Sequence, residues 1–173
     1  MGNRAFDEVV PALLVAMENV DDEDSRSNAI TGLTGILRIR SRELLPYLIP
    51  RMLRKPMTVN QASGLGSICS VTGGSIYRFF SSIIPTLIEE MATFFNRECS
   101  ESESETEKAI RDCARVVCAS VEESGVNVLV SEVVSKCCSD KESIRKESCW
   151  MIQIIAEESK FPPVFCAFQN ILQ

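Results

Sequence analysis

Histidine is absent from this 173-residue chain. That removes the Ser-His-Asp and Cys-His catalytic arrangements and every histidine-containing zinc site. Aromatic residues are scarce at 6%, which suits helices packed through small side chains better than a β-sandwich. No apolar run approaches the roughly 18 residues that a membrane span needs, and Met1 to Glu8 has no apolar secretory core. Gly2 would be a myristoyl acceptor only with Ser or Thr where Phe6 stands. The eight cysteines are too few for a disulfide scaffold and contain no Cys-x-x-Cys pair. They point to a reducing, cytoplasmic compartment, with most of them serving as small core hydrophobes.

A dinucleotide loop is incomplete too. Gly64-Leu65-Gly66 lacks a third glycine and a preceding strand, so these glycines, with Gly32 and Gly35, read as small residues for close helix packing. With no nucleophile–base pair, metal cluster or phosphate loop, the chain is not expected to be an enzyme, to hold a metal or cofactor, or to take a small-molecule substrate.

What is present is a repeat. Val9-Val10-Pro11-Ala12-Leu13-Leu14, Leu44-Leu45-Pro46-Tyr47-Leu48-Ile49 and Ile83-Ile84-Pro85-Thr86-Leu87-Ile88 share one pattern, with proline-to-proline spacings of 35 and 39 residues. Leu129-Val130-Ser131-Glu132-Val133-Val134 repeats it without the proline. A period near 40 residues is that of stacked helical hairpins, and a hydrophobic content of 45% can fill a continuous core between them. The fold expected is therefore an all-α, antiparallel helical-hairpin solenoid. The periodicity predicts first helices at 5–19, 42–54, 76–96 and 125–138, and second helices at 24–39, 58–72, 107–121 and 140–157. The units are 5–39, 42–72, 76–121 with an acidic insertion at 98–107, and 125–157, followed by a lone first helix at 161–173 where the chain stops in mid-repeat. Each proline is expected early in its helix, where its missing N–H costs little. Leu13, Leu33, Leu37, Leu48, Leu65, Leu87, Val117, Val133 and Ile154 are the expected core. Ser104-x-x-Glu107 and Ser139-x-x-Glu142 have the spacing of capping boxes. An array cut without polar caps leaves apolar surface at its ends, so Phe161, Val164, Phe165, Phe168, Ile171 and Leu172 are expected to be poorly protected or buried by self-association.

Two segments are candidate sites. The chain carries a net charge of −6, which repels nucleic acid and anionic membranes as a whole. Against that field, Arg38, Arg40, Arg42, Arg51, Arg54 and Lys55 face a single acid, Glu43, for a local charge of +5. Such a ridge could meet phosphate, including ribosomal RNA, or an acidic partner; the bland alternative is a solvated face with cations near helix C-termini. The run from Glu98 to Glu107 interleaves glutamates with serines and reads as a solvated loop. Ser100, Ser102 and Ser104 each have Glu three residues on, making them candidate acidic-directed phosphorylation sites.

The run Ala29-Ile30-Thr31-Gly32-Leu33, continuing through Ile36, Ile39 and Ser41-Arg42 to Leu44-Leu45-Pro46-Tyr47-Leu48-Ile49-Pro50, resembles a segment of the large general-control-nonderepressible translational activator family. Val117, Ser120-Val121-Glu122-Glu123, Gly125 and the hairpin from Val126 to Ser159 fit the same region. The resemblance covers about residues 28–91 and 113–163. It implies HEAT-type repeats within a very long solenoid that binds translating or collided ribosomes and engages the RWD domain of the amino-acid-starvation kinase. It also implies a supporting role in phosphorylation of initiation factor 2 alpha, without matching any kinase-contacting residue here. The repeat pattern alone equally allows a HEAT adaptor of another pathway, such as a transport or phosphatase scaffold.

Overall fold

The computed structural model describes residues 3–18 and 23–158. Helices follow in the order α1 (Asn3–Glu18), α2 (Glu23–Met52), α3 (Val59–Thr72), α4 (Phe80–Ala92), α5 (Glu101–Ala119), α6 (Glu123–Cys137) and α7 (Glu142–Glu158). A 3₁₀ segment, Gly73–Phe79, leads into α4. The described residues contain no strand. The fold is an all-α, HEAT-type solenoid of antiparallel hairpins.

α2 is two helices run together. Arg40, at φ −129° and ψ 34°, leaves the helical region and separates an arm at 23–39 from one at 41–52. Hairpins then stack through like partners, α3 against α5 and α5 against α7 in one layer, α4 against α6 in the other. Apolar residues at helical spacing face inward from both layers, and their side chains merge into one cluster running from Leu14 to Ile155. Leu33, Leu37, Leu48, Leu65, Leu87, Val117, Val133 and Ile154 are buried in it. Leu13 is only partly buried, because Leu14 takes the interior position of α1 while Leu13 rests over the open side of Gly32.

Several local expectations change. Pro46 and Pro85 stand at the sixth residue of the 41–52 arm and of α4, past the first turn. The acidic run is not a loop: α5 starts at Glu101, and Ser100, rather than Ser104, is its N-cap. The Ser100 hydroxyl accepts from the Glu103 N–H at 3.4 Å, and the Glu103 carboxylate accepts from the Ser100 N–H at 3.0 Å. Glutamate is a good helix former, and acids in a first turn complement the helix dipole, so these charges extend the helix. Ser139 makes no box with Glu142; its hydroxyl accepts from the Lys141 N–H at 3.3 Å, just ahead of α7. The expected helix at 161–173 lies outside the described residues.

The glycines divide by neighbourhood. A Cβ on Gly66 would meet the Cys113 Cα at 3.8 Å, so α3 and α5 approach closely there, whereas Gly35 faces nothing within 4 Å and contributes no such contact. Gly125 admits the Tyr77 ring, whose hydroxyl accepts a 2.8 Å hydrogen bond from the Glu122 N–H at the start of α6.

Candidate interaction surface

The 41–52 arm buries Leu44, Leu45, Leu48, Ile49 and Met52, which leaves Arg42, Glu43, Pro46, Tyr47 and Pro50 on the solvent side. Proline at position 46 has no N–H, so the Arg42 carbonyl loses its helical donor. The Arg78 guanidinium, from the 3₁₀ segment of the following unit, donates to that oxygen at 2.8 Å and stacks 4.8 Å from the Phe79 ring centroid. A cation absent from the sequence-derived ridge is thereby held beside Arg42.

The six basic residues are not one continuous cluster. Arg38, Arg40 and Arg42 gather at the break in α2, while Arg51, Arg54 and Lys55 lie at the far end of the arm; Arg42 and Arg51 are about 14 Å apart along the axis at helical rise. Arg38, Arg42 and Arg54 are exposed and enter no ion pair among the described residues. Arg51 is half-buried. Arg40 pairs with Glu43 at 2.9 Å, and Lys55 turns to Glu89 at 2.6 Å. Two exposed apolar side chains accompany these cations, Ile39 at 80% exposure and Tyr47 at 72%. Tyr47 sits inside the Leu-Pro-Tyr-Leu-Ile-Pro block, but its solvent orientation emerges only once the buried side of the arm is fixed.

Glu89, on α4, also takes Lys136 of α6 at 2.9 Å. Hydrogen bonds from Lys55 first and Lys136 next hold its carboxyl down to about 2, against a smaller opposing effect of burial. On the other layer Glu147 is buried and binds Arg111 through both oxygens, at 2.9 and 3.1 Å. Arg111 also reaches Glu107 at 2.9 Å and lies 4.8 Å from the Trp150 ring centroid. The Glu89–Lys136 and Arg111–Glu147 pairs join helices of adjacent hairpins, whereas Arg111–Glu107 lies within α5. Buried Glu90 accepts the Met57 N–H at 2.8 Å, satisfying the chain where it turns into α3.

At the start of α5, Ser100, Ser102 and Ser104 are all exposed. Ser100 is engaged as the cap, and its hydroxyl also donates to Glu103 at 3.0 Å. The Ser100 backbone, then its hydroxyl, then Arg97 keep Glu103 below the usual carboxylate range. Among the described residues the cysteines divide differently from the expectation that most are core. Cys69, Cys113 and Cys118 are buried, and burial pushes the Cys69 and Cys118 thiols up to about 12. Cys99 and Cys137 are half-buried, and Cys138 and Cys149 are exposed. Among the described residues no cluster of three or more cysteine or carboxylate groups is placed to hold a metal, and no helix is long and apolar enough to cross a membrane.

Comparison with known proteins matches this arrangement to one family. A family profile described as "Stalled ribosome sensor GCN1-like, HEAT repeats" matches residues 44–167. The eIF-2-alpha kinase activator GCN1 of Saccharomyces cerevisiae is 32% identical over 142 residues, 81% of this chain and 5% of its own length. Its Dictyostelium discoideum counterpart is 29% identical over 151 residues, 87% of this chain and 5% of the relative. The human stalled ribosome sensor GCN1 is 23% identical over 160 residues, 92% of this chain and 6% of the relative. The chain therefore spans about one-twentieth of the length of the relatives it matches. With most of its described helices inside the matched segment, the chain belongs to the GCN1-like HEAT-repeat family.

Proposed function

We propose that this chain is a non-catalytic scaffold module of a translational activator that associates with ribosomes in the cytoplasm. In this reading it supports activation of the kinase that phosphorylates initiation factor 2 alpha in amino-acid starvation, and its basic ridge meets ribosomal RNA. The carrying observation is the set of exposed cations Arg38, Arg42 and Arg54, without acidic partners among the described residues, in a chain whose net charge is −6. The relatives' names, kinase activator and stalled ribosome sensor, supply the pathway. In this reading the stacking units are 5–39, 42–72, 76–121 and 125–157.

Ribosome co-sedimentation across a salt series tests the ridge. Each neutralised phosphate releases counterions, so wild-type affinity falls steeply as salt rises. The variant Arg38→Glu/Arg42→Glu/Arg54→Glu should bind weakly with a flatter salt dependence and an unchanged helical circular dichroism spectrum. Equal binding by both proteins at every salt concentration would refute the ridge. Pull-down with the kinase's RWD domain tests the kinase arm separately, and no capture by the ribosome-competent wild type would remove direct kinase contact from this module.

A further inference from the structure

We infer that Cys137 and Cys149 form a redox-modification site, a pair of thiols that a peroxide converts reversibly to a disulfide clamping α6 to α7. Cys69, Cys113 and Cys118 are sealed in the core, whereas the α6–α7 hairpin gathers Cys137, Cys138 and Cys149 at or near its surface. Only the second group is open to an oxidant.

The hairpin brings two of the three together. Cys137 ends α6, and Cys149 lies on α7, beside the fully buried Ser148 and twelve positions on in the chain. Their side chains are hydrogen-bonding neighbours. The Cys137 thiol also lies 3.6 Å from the Val133 carbonyl on its own helix, which fixes its direction. Cys138 acts on Cys137 only as a weaker electrostatic neighbour, with no hydrogen bond between them. The turn that sets this register is itself pinned, because the Arg145 guanidinium, one turn before Cys149, donates to the Ser139 and Asp140 carbonyls at 2.8 Å each. A disulfide forms only between side chains that already approach, and this pair meets that condition without moving a helix.

The two thiols divide the chemistry by exposure. Cys149 is exposed and meets the peroxide first: its sulfur takes one oxygen, the O–O bond breaks, and water leaves from a sulfenic acid. Cys137 is half-buried, and burial first, then Cys149, push its thiol up to about 11, so it stays protonated and does not compete for oxidant. Its sulfur then attacks the sulfenic sulfur. The S–S bond forms, the S–O bond breaks, and the hydroxyl leaves with the Cys137 proton as a second water. Two thiols are oxidised and one peroxide is reduced to two waters; a dithiol reverses the bridge by exchange. In a reducing compartment such a bond is transient, as a redox sensor requires.

The reduced 173-residue chain, treated with hydrogen peroxide, blocked with N-ethylmaleimide and digested with trypsin, tests this by peptide mapping. Expected is a bridge joining peptide 137–141 to peptide 147–160, assigned by fragmentation to Cys137 and removed by dithiothreitol. Cys137→Ser and Cys149→Ser should each abolish it, and Cys138→Ser should keep it, all three with an unchanged circular dichroism spectrum. The urea midpoint should rise on oxidation of the wild type and not of Cys137→Ser; an equal midpoint before and after bridging would overturn the clamp. Failure to form any bridge, a bridge from Cys149 to Cys138, to Cys166 or to a second chain, or Cys149 passing to sulfinic acid while Cys137 stays free would overturn the site.

Discussion

Replacing Gly125 by alanine should destabilise the stack, although alanine is the better helix former. A Cβ there would stand 2.5 Å from Tyr77 Cζ and 2.7 and 2.8 Å from its two Cε atoms, closer than side chains tolerate. The ring has little freedom to retreat. Its hydroxyl accepts the Glu122 N–H at 2.8 Å, and its centroid lies 5.3 Å from that of Phe80, a fully buried residue. Overpacking costs about 1–3 kcal/mol, and shifting the ring forfeits a hydrogen bond worth about 1 kcal/mol. Helix propensity returns at most about 1 kcal/mol, less so near the first turn. The balance is a loss of about 2 kcal/mol, or a fall in Tm of about 4–8 °C for a chain of this length. Thermal and urea denaturation followed by circular dichroism would measure it. The decisive comparison is the Tyr77→Ala background, where the same glycine substitution should become neutral or stabilising, giving a coupling of about 2 kcal/mol. A Gly125→Ala protein as stable as wild type, or an equal loss in both backgrounds, would refute the close approach as the cause.

Two further outcomes follow from other contacts. Glu89 has its carboxyl lowered from 4.5 to about 2 by Lys55 and Lys136; stabilisation from its ionised form is present above pH 4.5 and lost as pH falls towards 2. A plot of Tm against pH should therefore be shallower over that window for Glu89→Gln, and identical slopes would show that the two lysines contribute nothing. Ser100→Ala should cost about 1 kcal/mol and speed amide exchange in the first turn of α5, whereas Ser104→Ala should leave both nearly unchanged; the reverse order would restore Ser104 as the cap.

The helices were legible because burial imposes a period on the sequence, and in a stacked array each helix meets only near neighbours. Leu33, Leu37, Leu48 and Leu65 are core for that reason. The start of α5 is not legible in the sequence because glutamates that bury no surface look like a loop, although Glu103 closes a box with Ser100 and the helix buries Ile110, Cys113 and Ala114 further on. The ridge was legible as composition but not as geometry. Lys55 belongs to Glu89, 34 residues away, and Arg78 reaches the carbonyl left by Pro46 from 36 residues away. Such pairings depend on how one hairpin is set against the next. No local pattern encodes that setting, so Tyr47 and Arg78 emerged only with the assembled layers.

Glu89 joins Lys55 and Lys136 from the hairpins on either side of its own. One anion is thus the middle of a three-point tie along the edge of the array. Bending that spreads this edge must lengthen one of the two contacts, while bending in the opposite sense leaves both closed. Elastic resistance is consequently directional, and because all three side chains are partly open to solvent, added salt should soften it. The array then behaves as a spring whose easy direction is set by the side on which its charges are laced, and whose stiffness follows the ionic strength around it.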